Sequence, residues 1–123
     1  TTERNKVGTI TGSRALVDAL LREGIDHVFG IPGTQNLAFL DALRDTPQIR
    51  FILTRHEQGA AFMAQAYARV LGKPAVCMAC SGPGTVKLAS GIAMAFVRSP
   101  CETACAGVRS RFCGGALRFP ARK

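Results

Sequence analysis

The chain has 123 residues, of which 47% are hydrophobic and 20% charged, and its net charge is +8. That length and balance give one globular domain with a modest core and exclude a disordered chain or two full domains. The charge is unevenly placed: residues 1–97 hold ten Lys/Arg against seven Asp/Glu, whereas residues 98–123 hold six against one.

The opening "TTERNKVGT" is polar, with no initiating Met and no apolar stretch of a secretory signal, which predicts a cytoplasmic protein read as a fragment or processed product. No apolar run is long enough to span a bilayer, so no membrane role is expected. "TGSRALVDALLREG" (11–24) predicts a helix, with Thr11 or Ser13 as N-cap, Gly24 as stop, and Ala15, Leu16, Ala19 and Leu20 as its apolar stripe. "HVFGI" (27–31) reads as a short strand. "TQNLAFLDALRD" (34–45) returns to helical spacing with Leu37, Leu40 and Leu43 inward.

"RFILT" (50–54) is a second strand, followed by a helix over 57–71 that ends at Gly72 before Pro74. "AVCMAC" (75–80) is a third strand and "TVKLASGIAMAF" (85–96) a further helix dominated by small side chains. Short, almost wholly apolar strands alternating with helices predict a three-layer α/β/α fold around a parallel sheet buried on both faces. After residue 97 neither period continues, and residues 98–123 read as an irregular, basic, Cys/Arg-rich tail.

Five cysteines without signs of export argue against a disulfide framework. Cys77, Cys80, Cys101 and Cys105 have zinc-like spacing. Positions three apart on a strand face opposite ways, however, so Cys77 and Cys80 would not meet at one ion. No metal ligand is assigned.

Each strand runs into an unusual turn: "GIPGT" (30–34), "TRHE" (54–57) and "SGPGT" (81–85). In a parallel sheet all three lie at the carboxyl edge, where ligands bind. Gly30, Gly33, Gly82 and Gly84 allow close backbone approach, and Pro32 and Pro83 stiffen the loops. Neither glycine turn continues as a nucleotide-binding P-loop. Between them stands Glu57, the only acid from Arg50 to Pro100. Acids commonly begin helices because they complement the dipole, which alone would explain Glu57. A His beside a strand end, as at His56, is most simply structural, and Met63 and Tyr67 fall at core spacing.

Taken in order, "ALVDALLREGIDHVFGIPG", "RHEQGAAFMAQAYAR", "GKPAVC" and "SGPGT" resemble the N-terminal pyrimidine-binding domain of thiamine diphosphate-dependent enzymes, in the acetolactate synthase and benzoylformate decarboxylase group. The resemblance covers residues 9–97. It implies that Glu57 is catalytic, hydrogen-bonding a nitrogen of the cofactor's aminopyrimidine ring so that the cofactor can attack a 2-keto acid. It further implies that Gly30, Ile31, Pro32 and Gly33 lie near the reacting end of the cofactor in a partner's site, and that Ser81, Gly82, Pro83 and Gly84 lie near the aminopyrimidine. Thr34, Gln35, Asn36 and His56 are candidates for substrate selection.

The departures are equally informative. Members of this family hold the diphosphate and magnesium through a second domain marked by Gly-Asp-Gly, a tripeptide this chain does not contain. Members also continue past residue 97 with an apolar strand where this chain has its basic tail. The reading is therefore a partial domain inactive alone, sharing thiamine diphosphate with a diphosphate-binding domain or subunit, oligomeric, and acting on 2-keto acids. Residues 98–123 are expected to be foreign to the fold, as an out-of-frame segment would be. One alternative is a stand-alone subunit of a split decarboxylase. A more distant one is a non-catalytic module that binds nucleic acid through the basic tail, although the chain has no nucleic-acid motif.

Overall fold

The computed structural model describes residues 10–98, with side chains through Ala95, and the backbone of 103–106. Helix α1 (Gly12–Arg22) begins where Thr11 Oγ1 accepts from Arg14 N at 3.3 Å. Strand β1 (His27–Gly30) leads through a 3-10 turn (Thr34–Asn36) into α2 (Leu37–Arg44). Strand β2 (Arg50–Leu53), helix α3 (Glu57–Leu71), strand β3 (Ala75–Met78) and helix α4 (Pro83–Arg98) follow. Strand β4 (Thr103–Ala106) completes one parallel sheet in the order β2-β1-β3-β4.

The sheet has helices on both faces because its strand residues alternate. Val28, Val76 and Met78 pack with Val17, Leu20, Phe39 and Leu43 of α1 and α2. Phe29, Ala75, Cys77 and Ala79 pack instead with Ala60, Ala61, Ala64, Ala68 and Leu88 of α3 and α4. Alanines let α3 lie close to the sheet. The helix stops at Gly72, whose φ of +65 permits its N–H to close on the Ala68 carbonyl at 2.9 Å.

The expected α/β architecture is present, with four differences. The buried stripe of α1 runs through Val17 and Leu20, while Leu16 is 39% exposed and Ala15 and Ala19 are also exposed. Two helical registers overlap in this sequence, and the one carrying Val17 wins because the sheet supplies its partners. In α2, Phe39 replaces Leu37 as a core residue, and Leu37 is exposed. Met63 is exposed as well, whereas Tyr67 packs beside the core as expected. Finally, β4 lies inside the stretch read as irregular. Its backbone occupies the edge of β3, whose free N–H and C=O groups would otherwise be unpaired. Residues 1–9, 99–102 and 107–123 are outside the described residues, and with them most of the basic tail.

At the end of the sheet opposite the glycine turns, Asp26 gathers three partners. Tyr67 donates its hydroxyl hydrogen to Asp26 Oδ1 at 2.8 Å, Lys73 pairs with Oδ2, and His27 Nδ1 lies 2.9 Å from both Oδ1 and the Tyr67 hydroxyl. Partial burial pushes the Asp26 carboxyl up, but hydrogen bonds from Lys73, His27 and Tyr67 outweigh it and hold the group well below its ordinary 3.8. Hydrogen bonding to Asp26 raises Lys73. Burial first, and then Asp26, raise Tyr67. A lowered carboxyl stabilises the fold above the unfolded value and stops doing so as pH falls through the folded one. Asp26→Asn should therefore be less stable than the wild type at pH 7, with the two converging as pH drops from 4 toward 2, as measured by urea unfolding at each pH. A constant gap over that range would contradict the assignment.

Candidate functional site

The three turns converge at the carboxyl edge of the sheet, held there by backbone and small side chains. Thr54 N donates to the Gly30 carbonyl at 2.9 Å, tying the end of β2 to the end of β1. Gly33 N donates to Asn36 Oδ1 at 2.7 Å, and Asn36 N donates to the Gly33 carbonyl at 3.1 Å, closing the first loop on itself. In the third turn Gly82 has φ +81, and Thr85 Oγ1 donates to the Cys80 carbonyl at 3.1 Å. Pro83 opens α4, a position where its missing N–H costs nothing.

The glycines bring these turns into contact with one another. A Cβ on Gly30 would fall 2.5 Å from the Met78 carbonyl oxygen, and one on Gly33 would fall 1.8 Å from Cys80 Sγ. A Cβ on Gly84 would lie 3.2 Å from Glu57 Oε1 and 3.6 Å from Ala79 Cβ. Cys80 thus sits past the end of β3, between the first and third turns, and not on the strand. Its partner in the zinc-like spacing, Cys77, is buried on the α3 face. Among the described residues no three His, Cys, Asp or Glu side chains form a cluster able to hold a metal. The side chains of Cys101 and Cys105 fall outside those residues.

Glu57 is the first residue of α3, and its side chain is only 17% exposed. It turns inward across the edge, with Oε1 over Gly84 and Oε2 3.9 Å from Lys87 Nζ. The helix is started for it by His56, whose Nδ1 accepts from Gln58 N at 3.2 Å. His56 is thereby explained as a cap, and its ring is exposed. Thr34 and Gln35 are exposed on the 3-10 turn, Pro32 is exposed, and Ile31 and Ser81 are half-buried.

Asn36 is 2% exposed, and its Nδ2 has no hydrogen-bond partner among the described residues. Its Oδ1 already serves loop closure. Two neighbours of the site are not assigned to it by the sequence. Cys80 reads there as the last residue of the third strand. Lys87 carried one signal: it is the only charge between Pro83 and Val97, a helix otherwise of small and apolar side chains.

This geometry presents one inward-facing carboxylate packed against the glycine backbone of the third turn. The sequence model described as thiamine pyrophosphate enzyme, N-terminal TPP binding domain, matches residues 10–100. Among curated proteins, the chain is 57% identical to the acetolactate synthase isozyme 1 large subunit of Escherichia coli over 83 residues, 68% of this chain and 15% of that protein. It is 50% identical to a probable 2-ketoarginine decarboxylase of Pseudomonas aeruginosa over 91 residues, 74% of this chain and 16% of that one. Against the acetolactate synthase of Bacillus subtilis it is 45% identical over 108 residues, 87% of this chain and 19% of that enzyme. The chain therefore spans less than a fifth of the length of each of these relatives. With two glycine-bearing turns and a carboxylate between them at the edge of a parallel sheet, and with a family match over most of its length, the chain belongs to the thiamine pyrophosphate enzymes, as their N-terminal TPP-binding domain.

Proposed function

We propose that this chain supplies the aminopyrimidine-binding half of a thiamine diphosphate site in a 2-keto acid decarboxylase or carboligase of the acetolactate synthase type. The observation that carries the reading is the Glu57 carboxylate, mostly buried and turned over Gly84. The residues fit the group. A carboxylate can share a proton with a weakly basic ring nitrogen, and Gly84, having no side chain, lets the Glu57 carboxylate turn inward over the third turn. When bound, thiamine diphosphate supplies the electron sink for decarboxylation. Glu57 holds the proton at the ring nitrogen. Ser81, Gly82, Pro83 and Gly84 form the wall beside the pyrimidine, and Gly30, Ile31, Pro32 and Gly33 border the reacting end of a cofactor held jointly with a partner.

On this reading the diphosphate and magnesium belong to another domain or subunit, and the isolated chain is inactive. Self-association through α3 and α4 would cover Phe62, Met63, Ile92 and Met94, all of which are exposed. In the test, the full chain is titrated with the neutral probe 4-amino-5-hydroxymethyl-2-methylpyrimidine and followed by NMR. Resonances of residues 57 and 81–84 should move in the wild type and stay still in Glu57→Gln, with the fold intact in both. Pyruvate turnover by the isolated chain with thiamine diphosphate and magnesium would overturn the reading, as would equal probe binding by Glu57→Gln.

A further inference from the structure

We propose that Lys87 is a resident counter-ion of Glu57, and that a ring nitrogen must displace it to reach the carboxylate; this rests on the aminopyrimidine reading above. Lys87 lies one turn into α4, and its Nζ stands 3.9 Å from Glu57 Oε2. That distance is an ion-pair contact longer than a hydrogen bond, so the lysine guards the oxygen without being locked to it. The two oxygens of Glu57 have different surroundings. Oε1 is turned to Gly84, while Oε2 faces the half-exposed lysine. Lys87 is the only cation paired with Glu57 among the described residues.

The consequence for binding follows from charge. An ammonium 3.9 Å from Oε2 and a ring nitrogen hydrogen-bonded to Glu57 both draw on the same carboxylate. The lysine and the ring thus compete for one group. Lys87 has a long, flexible stem and half its side chain in solvent, so it can swing away at little cost when a ring arrives. Positioned this way, Lys87 does not touch the reacting atoms. It keeps the inward carboxylate compensated until the cofactor takes its place.

Two measurements on the full chain test this. The first is ligand-free: trace acylation of lysine amines, read at Lys87 by mass spectrometry. Acylation of Lys87 should be about threefold slower in the wild type than in Glu57→Gln, the size an exposed ion pair can supply, with the gap closing at 0.5 M salt. Equal rates would overturn the counter-ion, whatever the site binds. The second uses the aminopyrimidine probe. It should speed Lys87 acylation in the wild type, and Lys87→Met should bind it about threefold more tightly while Lys87→Arg binds as the wild type does. Equal or weaker binding by Lys87→Met would overturn displacement and leave the cofactor reading standing. Binding to neither chain would overturn displacement and the proposed function together.

Discussion

Replacing Gly91 by Ala is expected to destabilise the chain by about 2 kcal/mol, the middle of the range for overpacking a tight interior. Helix propensity argues the opposite way, since Ala is favoured over Gly by about 1 kcal/mol inside a helix. Contact geometry decides. A Cβ on Gly91 would lie 2.3 Å from Ala61 Cβ, 2.9 Å from the Ala61 carbonyl carbon and 3.1 Å from Phe62 N. These atoms all belong to α3, and two are backbone, so no rotamer change makes room. The helices must separate.

Separation would reach the site, because α3 begins with Glu57 and α4 carries Gly84 in its first turn. Urea unfolding should show the loss, and Ala61→Gly in the same chain should recover part of it by removing the shortest contact. A Gly91→Ala chain as stable as the wild type would show that α3 and α4 do not pack this closely.

How far the sequence revealed these features depended on whether their cause was local. Helix α3 was legible from end to end because Glu57 and Gly72 are both boundary residues in their own right. The carboxylate and its glycine turns could be read for a similar reason: a lone acid in an apolar stretch and paired glycines after apolar strands are local anomalies. The face of α1 was not legible. Leu16 and Val17 each belong to a plausible apolar stripe, and only the sheet's position selects Val17.

Met63 at core spacing proved exposed for a related reason, since α3 offers alanines on its inner side and the sheet takes those. Strand β4 has no alternating pattern to announce it, and its pairing follows from the open edge of β3. The Lys87–Glu57 contact depends on how α3 and α4 lie together, and no spacing rule within one helix contains that. Cys80 was misplaced because strand periodicity was extended two residues beyond Met78, where the chain has already turned toward Gly33.

The second large effect is expected at Gly30. Gly30→Ala should cost about 3 kcal/mol, the upper end for adding a methylene to a packed interior. Gly30 is the last residue of β1, paired in register with Met78 of β3 and bonded through its carbonyl to Thr54 N. An added Cβ would fall 2.5 Å from the Met78 carbonyl oxygen and 3.0 Å from Met78 Cβ. The nearest obstacle is again backbone, on a strand whose residues are all buried. The strand ends must part, taking with them the turn that carries Ile31, Pro32 and Gly33. Gly59→Ala is the control: the position lies within α3, nothing stands within 4 Å of the added Cβ, and propensity alone should stabilise by up to about 1 kcal/mol. Opposite signs at Gly30 and Gly59 in the same unfolding assay would tie the cost to the Met78 carbonyl. Equal small effects at both would mean that the first turn is not pinned against β3, and Glu57 would then face a looser edge than the one described.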